Sequence, residues 1–211
     1  MPGSLTTDIA GGRGAPPSTP GFGDGDSGGR GASRRASFTG LLVLLAASIM
    51  MFAAFTSAFF VRRGLSDDWV STPMPRVLWL NTSVLLVSSA VIEMARRVLR
   101  SGHRVAFNRL WTAGTILGAL FLCGQYLAWR ELNAQGFYLA TNPSSSFFFL
   151  LTCVHAIHLL GGITALGYVD VQALRLRLGP GKRTAVDVSA AFWHFLDAVW
   201  IFLMLLFVFW G

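Results

Sequence analysis

Five stretches of this chain, at about 38–61, 77–98, 110–130, 146–170 and 188–210, are almost unbroken runs of apolar residues. Crossing the hydrocarbon core of a bilayer as a helix takes about 20 residues, and each run is long enough. Within lipid every backbone N–H must find its acceptor inside its own segment, so an open chain crosses as helix. The chain is therefore expected to be all-α, a single integral membrane bundle of five transmembrane helices over residues 38–211. The links between the runs are short, and no internal repeat is visible. Composition agrees: 53% of residues are hydrophobic and mean hydropathy is +0.55, too apolar for a soluble domain.

Residues 1–37 differ sharply. They are mostly Gly, Ser, Pro, Asp and Arg, a composition that buries too little surface to offset ordering entropy. A disordered cytoplasmic tail is expected there, without the apolar stretch and cleavage site of a signal peptide. Orientation follows from loop charge. An N-terminus in the cytoplasm puts Arg30, Arg34, Arg35, Arg96, Arg97, Arg100, Arg104, Arg109, Arg175, Arg177, Lys182 and Arg183 inside, and only Arg62, Arg63, Arg76 and Arg130 outside. Positive charge collects on the cytoplasmic side, so the C-terminus is expected outside. The net charge of +7 is then a matter of loops beside anionic lipid and not of nucleic acid. Trp69, Trp79, Trp129 and Trp210 near outer helix ends suit an interfacial belt. Cys123 and Cys153 lie within apolar runs and are expected as buried packing residues.

The polar residues inside the helices carry the functional question. The last run contains Trp193, His194, Asp197 and Trp200, the fourth contains His155 and His158, and the second contains Asn81, Ser88, Ser89 and Glu93. Ionisable groups at mid-membrane are costly and should face the bundle interior in pairs. Three readings are open. His155, His158, His194 and Asp197 could ligate a metal or haem, carry protons, or simply hydrogen-bond between helices. The metal reading has little to stand on: the Glu-x-x-His pairs of a di-iron bundle and the Cys-x-x-Cys-His of covalent haem are both absent. A structural cluster is the expectation, with no metal ligand and no catalytic residue. Trp193 and Trp200 flank it, and His194 and Asp197 are expected to lock the fifth helix against the fourth through His155 or His158. Gly114 and Gly118 stand in GxxxG spacing, which allows close approach of a helix from this chain or a partner; Ser88 and Ser89 are further packing candidates. Glu93 precedes Arg96 and Arg97 by one turn, as an ion pair would, or as a proton-entry carboxylate.

These residues resemble those of subunit III of the haem–copper respiratory oxidases, in the short five-helix bacterial form. The likeness runs over about 38–211. Its most specific part is Phe192, Trp193, His194, Phe195, Asp197 and Trp200, set as in the last helix of that family. His155, His158 and Gly162 match its His-x-x-His-x-x-x-Gly segment. Asn81, Thr82, Ser88 and Ser89 match its second helix here, and Leu117, Gly118, Phe121, Leu122 and Gln125 its third. Two carboxylates usual in the family are missing, with Ile49 and Ala128 in their places, so roles tied to them do not carry over. The resemblance implies a non-redox subunit of a proton-pumping terminal oxidase in the bacterial inner membrane. Haem and copper then belong to partner subunits I and II, and this chain holds no cofactor of its own. It packs on subunit I, binds phospholipid and supports proton uptake. It leaves the electron donor, cytochrome c or quinol, unread. The alternatives are a subunit-III-like accessory or assembly protein, such as one of a nitric oxide reductase, and a small transporter. Against the last, no helix interior carries proline or the broken pattern of a midplane site.

Overall fold

The structure is a computed structural model and describes residues 25–65, 76–136, 143–175 and 183–210. The five apolar runs are five helices: α1 Gly25–Leu65, α2 Arg76–Arg100, α3 Arg104–Ala134, α4 Pro143–Leu174 and α5 Arg183–Trp210. All five are long and apolar enough to cross a membrane. They overrun the apolar sequence at most ends. At about 1.5 Å per residue, the 32 residues of α4 exceed a hydrocarbon core of about 30 Å, so the helix ends reach into the headgroup layers.

The tail boundary needs correction. Helix α1 begins at Gly25, so residues 25–37 of the expected tail are helical; residues 1–24 lie outside the described residues. Once the apolar segment has nucleated a helix, each further residue gains a backbone hydrogen bond, and Ala32, Arg34, Arg35 and Ala36 propagate it well. Thr39 Oγ1 donates back to Arg35 O at 3.0 Å, and the Arg34 guanidinium lies over the Phe38 ring.

The α2–α3 hairpin is the most closely packed part of the bundle. Its turn passes through Gly102 at φ 87°, a left-handed conformation that glycine adopts without a Cβ clash. Beyond the turn, α3 lies against α2 through glycine. A Cβ on Gly114 would come 2.6 Å from Ile92 Cδ1, and one on Gly118 would come 2.5 Å from Trp193 Cη2. The GxxxG pair thus receives α2 and α5 of this same chain. Ser88 Oγ donates to Gly114 O at 2.8 Å, and Asn81 Nδ2 donates to Phe121 O at 3.0 Å. Gly114 and Ser88 thus lie on the α2–α3 contact, and Gly118 on the contact of α3 with α5.

Trp193 fills the centre, wedged between Gly118 of α3 and Gly162 of α4. Other indoles fasten helices at their N–H. Trp111 Nε1 donates to Leu166 O of α4 at 3.0 Å, Trp129 Nε1 to Thr152 Oγ1 at 3.1 Å, and Trp200 Nε1 to Thr82 Oγ1 at 3.0 Å. Each bond satisfies a donor that would otherwise be buried unpaired. Helix α1 is the outlier. It packs on α4 and α5 through Leu41, Phe52 and Phe59, while Leu42, Val43, Ile49 and Met50 stay exposed. Phe59 meets Phe147 and Phe207 edge-on, so the aromatic runs of α4 and α5 serve packing. Cys123 and Cys153 are free and exposed, against the expectation of burial. In a bilayer the outer face of a helix is as apolar as the inner one, so an apolar neighbourhood does not mark the interior.

Candidate functional site: a polar seam between two helices

Helices α2 and α5 run antiparallel, and a line of polar side chains joins them. On α2 the line is Thr82, Ser89, Glu93 and Arg96; on α5 it is Asp187, His194 and Trp200. On α2 spacings of seven, four and three residues put the set on one helix face, as do the seven residues between Asp187 and His194 on α5; Trp200 reaches Thr82 from the neighbouring face of α5. Arg96 is the strongest link. Its Nη1 donates to Glu93 Oε2 at 2.9 Å, its Nη2 to Asp187 Oδ1 at 2.9 Å, and its Nε to the same oxygen at 3.3 Å. Arg97 Nε adds a bond to Glu93 Oε1 at 3.3 Å. Both arginines expected beside Glu93 are therefore on it, and the carboxylate of Asp187 joins them from α5.

His194 continues the seam inward. Its Nδ1 lies 2.7 Å from Ser89 Oγ, its Nε2 lies 3.7 Å from Glu93 Oε2, and its Nδ1 lies 3.8 Å from Asp197 Oδ2. Asp197 is 4% exposed, and neither carboxylate oxygen has a hydrogen-bond partner among the described residues. His194 and Asp197 share a face, as their spacing requires, but His194 meets Ser89 and Glu93 of α2, and Asp197 lies beside His194 on α5. The expected lock onto α4 through His155 or His158 is corrected here. The reason lies in α5 itself: Trp193 occupies the face toward α3 and α4, and the next residue is turned away from it, toward Ser89.

The α4 histidines have other surroundings. His155 is fully buried among aromatic rings, with Trp200 at 5.2 Å and 31° and Phe121 at 6.5 Å between centroids. Neither of its ring nitrogens has a hydrogen-bond partner among the described residues. His158 Nδ1 lies 2.9 Å from Val154 O of its own helix, and its ring faces Phe52 of α1 at 5.6 Å. The four sequence candidates therefore divide into a seam pair and two separate histidines. Among the described residues no group of three or more His, Cys, Asp or Glu side chains is placed to hold a metal ion.

Sequence reasoning passed over Asp187, since the fifth apolar run starts after it. Its signal was present: it stands seven residues before His194, on the same face. Asp170, the last residue of the fourth run, was also missed; Thr112 Oγ1 donates to its Oδ1 at 2.6 Å and ties α3 to α4. What the arrangement does chemically is hold helices together by charge and hydrogen bonds, with its charged end near the Arg-rich loops and its carboxyl end deep in the bundle.

A five-helix bundle of this kind, with apolar outer faces and polar groups turned inward to one another, defines a multi-pass membrane protein. The family model of cytochrome c oxidase subunit III matches residues 32–211, and the chain belongs to that family. A probable cytochrome c oxidase subunit 3 of Nocardia farcinica is 28% identical over 166 residues, covering 77% of this chain and 82% of the relative. The cytochrome c oxidase subunit 3 of Thermostichus vulcanus is 29% identical over 175 residues, covering 79% and 84%. That of Lumbricus terrestris is 30% identical over 183 residues, covering 82% of this chain and 69% of the longer animal protein.

Proposed function

We propose that this chain is the non-redox subunit of a proton-pumping haem–copper terminal oxidase, seated against subunit I in the bacterial inner membrane with its N-terminus in the cytoplasm. It stabilises the complex, holds phospholipid and supports proton uptake by its partner. The observation that carries the proposal is how the titratable groups are used. Glu93, Arg96, Asp187 and His194 are spent on joining α2 to α5, and the outer faces of the bundle are left apolar for lipid or a partner subunit. The phospholipid role has support of its own. A cleft of about 420 Å³ opens between α1, α4 and α5, walled by Leu41, Leu44, Ile157, Ala165 and Phe192, with His158 and Ser189 as its polar members. An acyl chain suits such walls. Proton uptake is supported by the seam, which sets Glu93 and His194 between an Arg-rich helix end and the buried Asp197 carboxyl.

The test is purification in mild detergent through a tag on this chain, followed by mass spectrometry and a haem spectrum. Oxidase subunits I and II and their haem absorption should accompany the chain. Recovery with a nitric oxide reductase and no oxidase subunits, or recovery alone from cells that contain the oxidase, would overturn the assignment.

A further inference from the structure

At the Arg-rich end of the bundle, the last turn of α2, the α2–α3 turn and the first turn of α5 enclose two small adjoining cavities. One, of about 40 Å³, is lined by Arg96, Leu99, Arg100, Arg183, Val186 and Asp187. The other, of about 30 Å³, is lined by Leu99, Gly102, Arg104 and Arg183. Four guanidinium groups therefore surround this notch, against a single carboxylate. That carboxylate is already engaged: Asp187 Oδ1 takes two bonds from Arg96 and lies 3.9 Å from Arg100 Nη2. Neither Arg104 nor Arg183 has a carboxylate within ion-pair distance among the described residues.

Like charges lining one notch repel, and an anion shared between them relieves that repulsion. The planar guanidinium fork fits the oxygens of a phosphate better than any other common anionic group except a carboxylate. Among the described residues the one carboxylate lining the notch is bonded to Arg96, which leaves Arg104 and Arg183 open to an added anion. Helices α3 and α5 also begin at Arg104 and Arg183, and their positive dipole ends on this side outnumber the negative end of α2. Each cavity has room for only a few waters, at roughly 10–15 Å³ for each. That is the scale of one phosphate group, with any attached chain lying outside. We propose that this notch binds a phosphate group through Arg100, Arg104 and Arg183, with Arg96 as the fixed wall behind them. The site is at the far side of α5 from the apolar cleft and does not depend on what that cleft holds. Two sources share this chemistry: the phosphodiester of an anionic phospholipid at the membrane surface, and free inorganic phosphate.

The test uses the assembled protein, with whatever subunits its tag retains. It compares wild type, the double variant R104Q/R183Q, and R109Q as a charge control outside the notch. After a detergent wash, bound phospholipid is counted by phosphorus analysis, and thermal stability is followed with added inorganic phosphate. If the source is lipid, R104Q/R183Q loses about one phospholipid per complex relative to R109Q, and phosphatidylglycerol vesicles refill the site in wild type alone. If the source is free phosphate, lipid counts are equal and only wild type and R109Q are stabilised by phosphate. Equal lipid counts together with equal phosphate responses in all three proteins would overturn the proposal. Should the double variant not assemble, the single R104Q change at the exposed rim is read against the same two measurements.

Discussion

His194 shows how little room a single residue has in this fold. Its ring reaches Ser89, Glu93 and Asp197, so its loss unsettles three groups and not one. Within membranes a single side-chain hydrogen bond contributes about 0.6 kcal/mol on average and at most about 1.7. Ser89→Ala should therefore lower the stability of the subunit only slightly, by that order, in thermal unfolding of the purified complex. Arg96→Met should cost clearly more, because it removes three charged hydrogen bonds, one to Glu93 and two to Asp187; an equal effect of the two changes would contradict the ordering. The identities of these residues were legible in the sequence, because an ionisable side chain in an apolar helix is conspicuous. Their partners were not. A spacing of three residues places His194 and Asp197 on one face, yet says nothing about which neighbour that face meets. Here the bulk of Trp193 decides it by taking the side toward α3 and α4.

At the scale of helices, the number and order were plain from the apolar runs, and the ends were not. Helix α5 begins at Arg183 and α3 at Arg104, several residues before their apolar sequence starts. Hydropathy marks where the oil is, whereas backbone hydrogen bonds continue into the headgroup region. Asp187 fell into that gap and was overlooked for that reason. The glycines were legible as close-approach sites, but only the packing reveals what approaches. Gly118→Ala should push Trp193 away and reduce the amount of folded subunit recovered with its complex. Gly167→Ala should leave recovery unchanged, since a Cβ there meets nothing within 4 Å. Equal recovery of the two variants in the same membrane preparation would remove Gly118 from the core of the account.

For the molecule as a whole, the Arg asymmetry predicts the sense of insertion. With the native cysteines Cys123 and Cys153 replaced, a Gly29→Cys chain should resist an impermeant thiol reagent in intact cells, and a Ser66→Cys chain should react. The reverse pattern would invert the topology and move the arginine notch to the outer surface. The central claim is that His194 of α5 fastens α5 to α2 and holds no redox centre. The most direct test is a set of complexes carrying Ser89→Ala, His194→Phe, His158→Phe, and His194→Phe combined with each of the other two. The measurement is retention of this subunit under increasing detergent, alongside the haem spectrum. The account predicts that His194→Phe loosens the subunit, that adding Ser89→Ala makes it little worse, and that adding His158→Phe acts independently, within the roughly 0.3–0.5 kcal/mol expected of uncoupled sites. The haem spectrum should not change in any of them. Loss of haem absorption with the subunit still in place, or strong coupling of His194 to His158 and none to Ser89, would contradict it.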